Sequence, residues 1–253
     1  KIIFNSNWSK KRFLEGMQNK FINSDKLLVV FQSAKKEIIN LRNKKKIITF
    51  VGKLNKSKGY DLFGGAILKI LNKHPDWSAN VIGDEHRDKI LFEHKNMKHH
   101  GFIKHSKVLD IYKKTSIAVV CSRWEEPFGR TSLEASSNGC AVIISNRGGL
   151  PETITNGIIL NKLDIKTIYK NIDKLIKDNN LRNKLQTLSI KNFYLSHRYV
   201  SDLIDKFRDE KLNAINKFST KKNVENLRIL HVTNFNERHD GRLYFNTGRR
   251  LNN

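Results

Sequence analysis

Short apolar runs alternate with amphipathic segments along most of this chain, and this alternation restricts the fold more than any other feature. Runs such as "KIITFV", "IAVVCS" and "AVIIS" are apolar at successive positions, as in strands that are covered on both faces of a sheet. Amphipathic segments with helical spacing lie between them. Strands that alternate with helices predict parallel pairing through crossover helices. We therefore expect an α/β fold with a doubly wound parallel sheet.

The same pattern gives approximate bounds for the elements. Strands are predicted in the first seven residues and at 26–31, 46–54, 77–83, 98–103, 116–122, 141–145 and 157–160. Helices are predicted at 8–19, 59–73, 85–94, 106–115, 131–138, 165–178, 180–192 and 198–217, with a brief helix at "LPETI". Ser106 is the expected N-cap of the fourth helix. The Gly-bearing turns after several strands should share the carboxyl edge of the sheet, where ligands bind.

Basic residues outnumber acidic residues two to one. The 253 residues include 48 Lys and Arg against 24 Asp and Glu, which gives a net charge of +24. This balance suits a phosphate-rich ligand or an anionic membrane surface, but the favoured interpretation is a Lys-rich solvated surface without a binding role. Nucleic acid is the least favoured partner. No apolar run could span a bilayer, and Cys121 and Cys140 are interpreted as core thiols of a reducing compartment.

A loop with two carboxylates follows the central apolar run. In "RWEEPFGRTSLE", Glu126 and Glu134 stand eight positions apart, and a helix is expected to begin directly after Gly129. The first N–H groups of a helix have no intrahelical partner, and the helix dipole favours negative charge there, so this helix start can bind an anion. Gly129 lets the backbone approach a ligand closely. Carboxylates on either side of an anion site suit the hydroxyl groups of a nucleotide sugar.

A second strand ends in a turn that contains two lysines. In "FVGKLNKSKG", Lys53 and Lys58 should lie on the same sheet edge as the carboxylate loop. Lysine can neutralise the charge that grows on a diphosphate leaving group without a metal ion. The sequence has no Asp-x-Asp pair, which argues against a chelated divalent cation. We therefore expect no metal and no cofactor, with a nucleotide sugar as co-substrate.

These motifs occur in an order that resembles a known family. "FVGKLNKSKG", "VIGD", "HGFI" and "SRWEEPFGRTSLEASSNGCAVIISNRGGLPETI" are similar to the carboxyl-terminal half of a family 4 glycosyltransferase, in the retaining GT-B branch related to glycogen and sucrose synthases. The similarity covers about residues 1–217. It implies a Rossmann-like donor domain. It also implies sugar transfer that retains the anomeric configuration, is assisted by phosphate and is independent of metal.

The resemblance implies a role for each residue that matches the family motifs. Lys53 and Lys58 would hold the diphosphate, and Glu126 would contact the hydroxyls of the donor sugar; these three are also the expected catalytic residues. Glu134 would bind the ribose, and the backbone near Ile103 would contact the base. The remaining implied donor contacts are backbone N–H groups of Phe128, Gly129, Arg130 and Thr131.

Two positions depart from the family pattern. Lys53 stands where the family usually has arginine, so a point charge replaces a bidentate phosphate contact. Arg130 occupies a position that is usually apolar, and it either adds a phosphate contact or points to solvent. The departures leave the identity of the donor open.

The resemblance also divides the chain into segments. Residues 1–24 are expected to be the last strand and helix of an acceptor domain that is otherwise missing, and residues 25–197 the donor-binding domain. Residues 198–219 are expected to form a crossover helix. Residues 220–253 are interpreted as a linker and the truncated start of a further Rossmann-like domain. The parent protein would be a tandem enzyme, or the chain would be clipped from a longer reading frame.

Two other functions stay open at this point. A sugar-nucleotide epimerase of the same architecture would turn over the donor without an acceptor. A non-catalytic basic module would bind nucleic acid or anionic lipid through charge alone. For the transferase, the expected acceptor is a glycan or a lipid-linked glycan, in the cytoplasm or at the inner face of the membrane. The histidines, His105 among them, are interpreted as surface or packing residues because they share no helical face with carboxylates.

Overall fold

The computed structural model describes residues 2–17, 26–87 and 90–218, and most of its strands form one parallel sheet. The strands are β1 (Ile2–Phe4), β2 (Leu27–Val29), β3 (Lys45–Val51), β4 (Ser78–Ile82), β5 (Met97–His99), β6 (Thr115–Val120), β7 (Ala141–Ser145) and β8 (Ile158–Leu160). Six of them pair in the order β5-β4-β3-β6-β7-β8, and each neighbouring pair is parallel. The expected doubly wound, Rossmann-like α/β fold is thus confirmed.

Helices connect most of the strands and follow the last one. They are α1 (Asn7–Gly16), α2 (Tyr60–Lys73), α3 (His105–Lys114), α4 (Arg130–Ser137), α5 (Ile165–Lys177), α6 (Asn179–Lys191) and α7 (His197–Phe218), with short 3-10 helices at Leu41–Asn43 and Leu150–Thr153. Among the described residues, no helix has the length and apolar character needed to cross a bilayer.

Helices cover both faces of the six-stranded sheet. Successive side chains of a strand point to opposite faces, so Phe50 of β3 packs with residues of α2 and α5, whereas Val51 packs with residues of α3 and α4. The core on each face is continuous across the central strands, where β3, β6 and β7 are buried on successive positions. This two-sided burial explains why the central strands are contiguous apolar runs in the sequence.

The connections of the sheet change direction between β3 and β6. The chain leaves β3 through α2 to one side of the sheet, and it leaves β6 through α4 to the other side, although the two strands are neighbours. A crevice forms at such a switch point, outside the carboxyl ends of the strands. The turns after β3 and β6 are therefore the segments that border the crevice.

The first two strands lie outside the six-stranded sheet. β1 pairs parallel with β2, and the start of α1 is tied to the segment after β7. The carboxylate of Glu152 accepts hydrogen bonds from the backbone N–H groups of Asn7 at 2.7 Å and Trp8 at 2.8 Å. The division into domains stays a prediction, and the segment at 220–253 lies outside the described residues.

The helix predicted at 85–94 is wrong for the part of it that the structure describes. Ile90 and Phe92 both pack against the core, two positions apart. The ring of Phe92 meets Tyr60 edge-on, with 5.6 Å between the ring centroids, in the space that Gly64 leaves open. A helix would turn one of these two side chains away from the sheet, so the tertiary packing selects an irregular backbone.

The N-cap predicted at Ser106 is also wrong. α3 begins at His105, its cap is Lys104, and no side chain accepts a hydrogen bond from the first turn. Ser106 is an exposed residue within that turn. The earlier start makes His105 the first helical residue and brings its ring to the adjacent helix α4, where it contacts Glu134.

A buried lysine joins the ends of α3 and α4. Lys44 precedes β3, and its ammonium donates hydrogen bonds to the carbonyl oxygens of Tyr112 at 2.9 Å and Asn138 at 2.6 Å. These carbonyls belong to the carboxyl-terminal ends of the two helices, where the helix dipoles attract positive charge. Burial lowers the pKa of Lys44. The lysine therefore ties the two helices that cover one face of the sheet.

A carboxylate joins α2 to α5 and should make the fold sensitive to acid. Asp173 accepts hydrogen bonds from His74 at 2.7 Å and from Lys73 at 3.3 Å, and it pairs with Lys177 at 2.9 Å. Burial raises the pKa of Asp173, but the hydrogen bonds from Lys177, His74 and Lys73 outweigh it and lower the pKa to about 2. The stabilisation is present above the ordinary pKa of 3.8 and is lost as the pH falls toward 2.

Between pH 4 and pH 2, the free energy of unfolding of the wild-type chain should fall by about 1–2 kcal/mol more than that of Asp173→Asn. Urea unfolding at several pH values measures this difference. Asp202→Asn, at an exposed position of α7, is the control and should keep the wild-type slope. Parallel pH profiles for Asp173→Asn and the wild type would contradict the prediction.

Candidate nucleotide-sugar site

Hydrogen bonds and an ion pair connect the turn after β3 to the loop after β6 at the switch point. The carbonyl oxygen of Ser57 accepts hydrogen bonds from the backbone N–H groups of Arg123 at 2.9 Å and Trp124 at 3.0 Å. Arg123 also binds Asp61 at the start of α2 through both guanidinium nitrogens, at 2.6 and 2.7 Å. These hydrogen bonds lower the pKa of Asp61 and keep it ionised. The two segments thus form one wall of the crevice.

This arrangement brings a lysine and a carboxylate of the predicted site together. The Lys58 ammonium lies 2.5 Å from Oε1 of Glu126, and both side chains are largely covered, with 32% and 14% of their surface exposed. Lys53 lies in the same turn and is exposed, and its ammonium makes none of the hydrogen bonds or ion pairs found among the described residues. The structure therefore places Lys58, and not Lys53, in direct contact with the carboxylate loop.

The two glycines of the "GGLPE" segment shape the loop that carries Glu126. The N–H group of Gly149 donates to the carbonyl oxygen of Glu126 at 2.6 Å, and that of Gly148 donates to Oε2 of Glu125 at 2.5 Å. Gly148 has a φ of +58°, and a Cβ there would lie 2.1 Å from the carbonyl oxygen of Glu126. Only glycine permits this approach, so the turn after β7 fixes the direction of the Glu126 loop.

The start of α4 offers free backbone donors beside the ion pair. Gly129 is its N-cap, with a φ of +115° and no side-chain hydrogen bond to the first turn. Phe128 is buried and stacks on Phe31, with 5.5 Å between the ring centroids, which anchors the loop. The N–H groups of Arg130 and Thr131 are among those that a helix leaves without an intrahelical acceptor. The positive end of α4 can therefore receive an anion next to Lys58.

The second carboxylate of the motif lies one turn further along α4 and is held by two donors. Glu134 is 6% exposed, and its Oε1 accepts hydrogen bonds from His105 at 2.9 Å and from Arg130 at 3.1 and 3.3 Å. Oε2 makes none of the hydrogen bonds found among the described residues. Arg130 is thus paired with Glu134 at the protein surface, and its phosphate contact stays a prediction.

The predicted base-contacting residue is linked to this second carboxylate through His105. Ile103 is half-buried and packs against the core between α3, α4 and the sheet. It precedes His105 by two residues, so one short segment after β5 carries both Ile103 and the histidine that contacts Glu134. The contacts run from the Ile103–His105 segment to Glu134 of α4, and the start of α4 follows the loop in which Glu126 contacts Lys58.

Sequence reasoning missed three of the contacts that build the site. Two of them connect the turn after β3 to the loop after β6: the ion pair of Arg123 with Asp61, and the hydrogen bonds to the Ser57 carbonyl. The third is the contact of His105 with Glu134. Because the "HGFI" segment ends at this sheet edge, the sequence indicated that His105 lies near the site, but not that it contacts Glu134. Nothing in the sequence spacing indicated the pairing of Arg123 with Asp61.

The site combines one largely covered ammonium group, the open start of a helix, and one carboxylate on each side of that helix start. Such a set can bind a diphosphate through charge and backbone N–H groups, and hydroxyl groups through the carboxylates. In the part of the chain that the structure describes, no three His, Cys, Asp or Glu side chains cluster closely enough to hold a metal ion.

Comparison with known proteins gives a family match over more than half of the chain. The sequence profile of the family described as glycosyl transferases group 1 matches residues 31–191. Spore coat protein SA of Bacillus subtilis is 33% identical over 158 residues, which are 56% of this chain and 42% of that protein. The lipopolysaccharide core biosynthesis mannosyltransferase LpsB of Rhizobium meliloti is 30% identical over 132 residues, 48% of this chain and 37% of that protein. The chain spans about two-fifths of the length of the curated relatives it matches.

Solved structures have the same fold. A glycosyltransferase from Rickettsia africae superposes with a TM-score of 0.70 at 20% identity, over 84% of this chain and 63% of that chain. The carboxyl-terminal domain of LpcC, a glycosyl transferase group 1 family protein from Francisella tularensis, has a TM-score of 0.52 at 27% identity, over 64% of this chain and 93% of that one. Anabaena HepE, solved with UDP and glucose, has a TM-score of 0.65 at 15% identity, over 82% of this chain and 62% of that chain. Since the family match covers more than half of its residues, this chain belongs to the glycosyl transferases group 1 family.

Proposed function

We propose that this chain provides the donor-binding half of a glycosyltransferase that moves a sugar from a nucleoside diphosphate sugar to an acceptor. The observation that carries the proposal is the 2.5 Å contact between Lys58 and Glu126 beside the open start of α4. The Lys58 ammonium lies where it can bind a diphosphate, and the Glu126 carboxylate lies next to it, where it can bind the sugar attached to that diphosphate. Membership of the family supports the class of reaction.

In this proposal the diphosphate is bound by charge and by backbone donors. The Lys58 ammonium exchanges its contact with Glu126 for a phosphate oxygen, and the N–H groups of Arg130 and Thr131 bind further oxygens. The exposed Lys53 supplies a second, mobile positive charge from the same turn. Release of Lys58 leaves the Glu126 carboxylate free to accept hydrogen bonds from the sugar.

The nucleoside would occupy the other end of the crevice. Glu134 would accept hydrogen bonds from the ribose hydroxyls through Oε2, and the backbone near Ile103 would contact the base. Support comes from the succession of contacts from the Ile103–His105 segment through Glu134 and the start of α4 to Glu126, which matches the order of base, ribose, diphosphate and sugar in a nucleotide sugar.

We further propose that transfer retains the anomeric configuration and needs no bound metal ion. The bond from the anomeric carbon to the diphosphate oxygen breaks. The acceptor oxygen bonds to the same face of that carbon, and its proton passes to the departing diphosphate. Lys58, Lys53 and the positive end of α4 would stabilise the negative charge that develops on the leaving group. Activity that is unchanged by EDTA, and a product with the donor's anomeric configuration, are the expected results.

The acceptor is proposed to be a glycan or a lipid-linked glycan. In this proposal it is bound by a facing acceptor domain outside the described residues, as in the two-domain enzymes that the sequence resembles. The net charge of +24 supports a position near an anionic membrane surface on the cytoplasmic side.

Calorimetric titration with UDP, GDP, ADP and their glucose conjugates tests the donor site. We expect one nucleoside diphosphate to bind saturably, and Glu134→Ala to weaken the nucleotide and its sugar conjugate equally, about tenfold. Glu126→Ala should keep or strengthen binding of the nucleoside diphosphate, because Lys58 is released, and should abolish the contribution of glucose to binding of the conjugate. Glu93→Ala removes an exposed carboxylate outside the site and is the matched control.

Three results would contradict parts of the proposal. A folded chain that binds none of these compounds has no donor site of this kind. A neutral Glu134→Ala variant would reverse the ribose assignment. If the chain converted the sugar nucleotide to its epimer in the absence of an acceptor, its activity would be that of an epimerase and not of a transferase.

A further inference from the structure

Nitrogen donors of two side chains from different helices hold a single oxygen of Glu134. His105 is the first residue of α3, and its Nε2 lies 2.9 Å from Oε1 of Glu134. Arg130 approaches the same oxygen from the first turn of α4, at 3.1 and 3.3 Å. Because both donors use Oε1, the carboxyl group is fixed about its long axis, and Oε2 is the oxygen left for another partner.

The two donors differ in how firmly they are placed. Arg130 reaches Glu134 along its own helix, with 60% of its side chain exposed, so its long side chain can move to solvent or to a bound phosphate. His105 has a short, stiff side chain on a helix whose far end is tied to α4 through Lys44. His105 is therefore the donor that keeps its position when Arg130 moves.

We propose that His105 is a positioning residue for ribose recognition: it holds Oε1 of Glu134 so that Oε2 faces the ribose hydroxyls. This inference rests on the proposed donor site, and it adds a residue of α3 to the recognition of the sugar of the nucleotide. It also places base and ribose recognition on one segment, since Ile103 and His105 are two residues apart. A freely rotating carboxylate would bind a ribose and a 2′-deoxyribose with less difference in affinity.

The ratio of two dissociation constants separates this role from a simple surface ion pair. A nucleoside diphosphate (UDP, GDP or ADP, whichever the wild-type chain binds most tightly) and its 2′-deoxy counterpart are titrated into the 253-residue chain. We expect the preference for the ribose form to fall about fivefold in His105→Ala. His105→Gln should restore it to within about twofold, because the glutamine amide can donate from nearly the same place.

The control is His94→Ala, which removes a hydrogen-bonded histidine near the amino end of β5, and it should keep the wild-type ratio. Circular dichroism establishes that each variant is folded, which is expected because 57% of the His105 side chain is exposed. An unchanged ratio in His105→Ala, or a loss in His105→Gln equal to that in His105→Ala, would overturn the inference while leaving the donor site intact. A wild-type chain that binds none of the nucleotides would overturn the donor site and this inference together.

Discussion

Replacement of Lys58 by methionine is expected to weaken binding of the nucleoside diphosphate about a hundredfold, which corresponds to about 2–3 kcal/mol. The ammonium group is the cation that the fold holds at the crevice, in contact with Glu126. Without it, the diphosphate loses a charged partner and meets the unpaired Glu126 carboxylate. Both changes disfavour the anion. Isothermal titration at moderate salt measures the loss.

The control for this prediction is Lys56→Met, two positions earlier in the same turn. Lys56 is exposed, and only its backbone carbonyl takes part in the site, as an acceptor for Arg123. Because the chain carries a net charge of +24, removal of any lysine weakens anion binding slightly through the general field. Equal losses in Lys56→Met and Lys58→Met would show that the overall charge binds the anion and that Lys58 has no specific role.

Gly59→Ala is expected to destabilise the chain by about 3 kcal/mol or more. Gly59 is the N-cap of α2, with a φ of +73°, and a Cβ at this position would lie 1.9 Å from the carbonyl oxygen of Cys121. The new atom would push the start of α2 away from the end of β6. Since Lys58 is the preceding residue, its contact with Glu126 should be lost as well. Urea unfolding and nucleotide titration should show the two effects together.

Gly101→Ala separates backbone strain from steric overlap. Gly101 has a φ of +62°, but a Cβ there would meet no atom within 4 Å. We expect this variant to lose only about 1 kcal/mol, the cost of a left-handed backbone for a residue with a side chain. If Gly59→Ala were no less stable than Gly101→Ala, the close contact between α2 and β6 would not be a constraint on the fold.

The type and order of most elements follow from the sequence because central parallel strands are buried on both faces. "AVIIS" is apolar at nearly every position for this reason, and the structure has β7 at Ala141–Ser145 as predicted. The segment at 85–94 could not be predicted in the same way. Its packing depends on the fit of Phe92 into the space beside Gly64, and that fit involves residues far apart in the sequence.

Some contacts of the candidate site could likewise be anticipated from the sequence, and others could not. The meeting of Lys58 and Glu126 could be anticipated, because β3 and β6 are adjacent parallel strands and the residues after them share one edge of the sheet. The contact of His105 with Glu134 could not, because it depends on where α3 begins and how two side chains turn between helices. Motif spacing predicts which loops meet, whereas side-chain pairing across elements depends on packing.

The buried Lys44 has a mechanical consequence for the crevice. Its ammonium connects the last turns of α3 and α4, while His105 and Glu134 connect the opposite end of α3 to α4. α3 is thus held to α4 near both of its own ends, through His105 in its first turn and through the Tyr112 carbonyl in its last. We therefore expect the segments proposed to bind the nucleoside and the diphosphate to move together during any hinge movement, which would keep the distance between them constant.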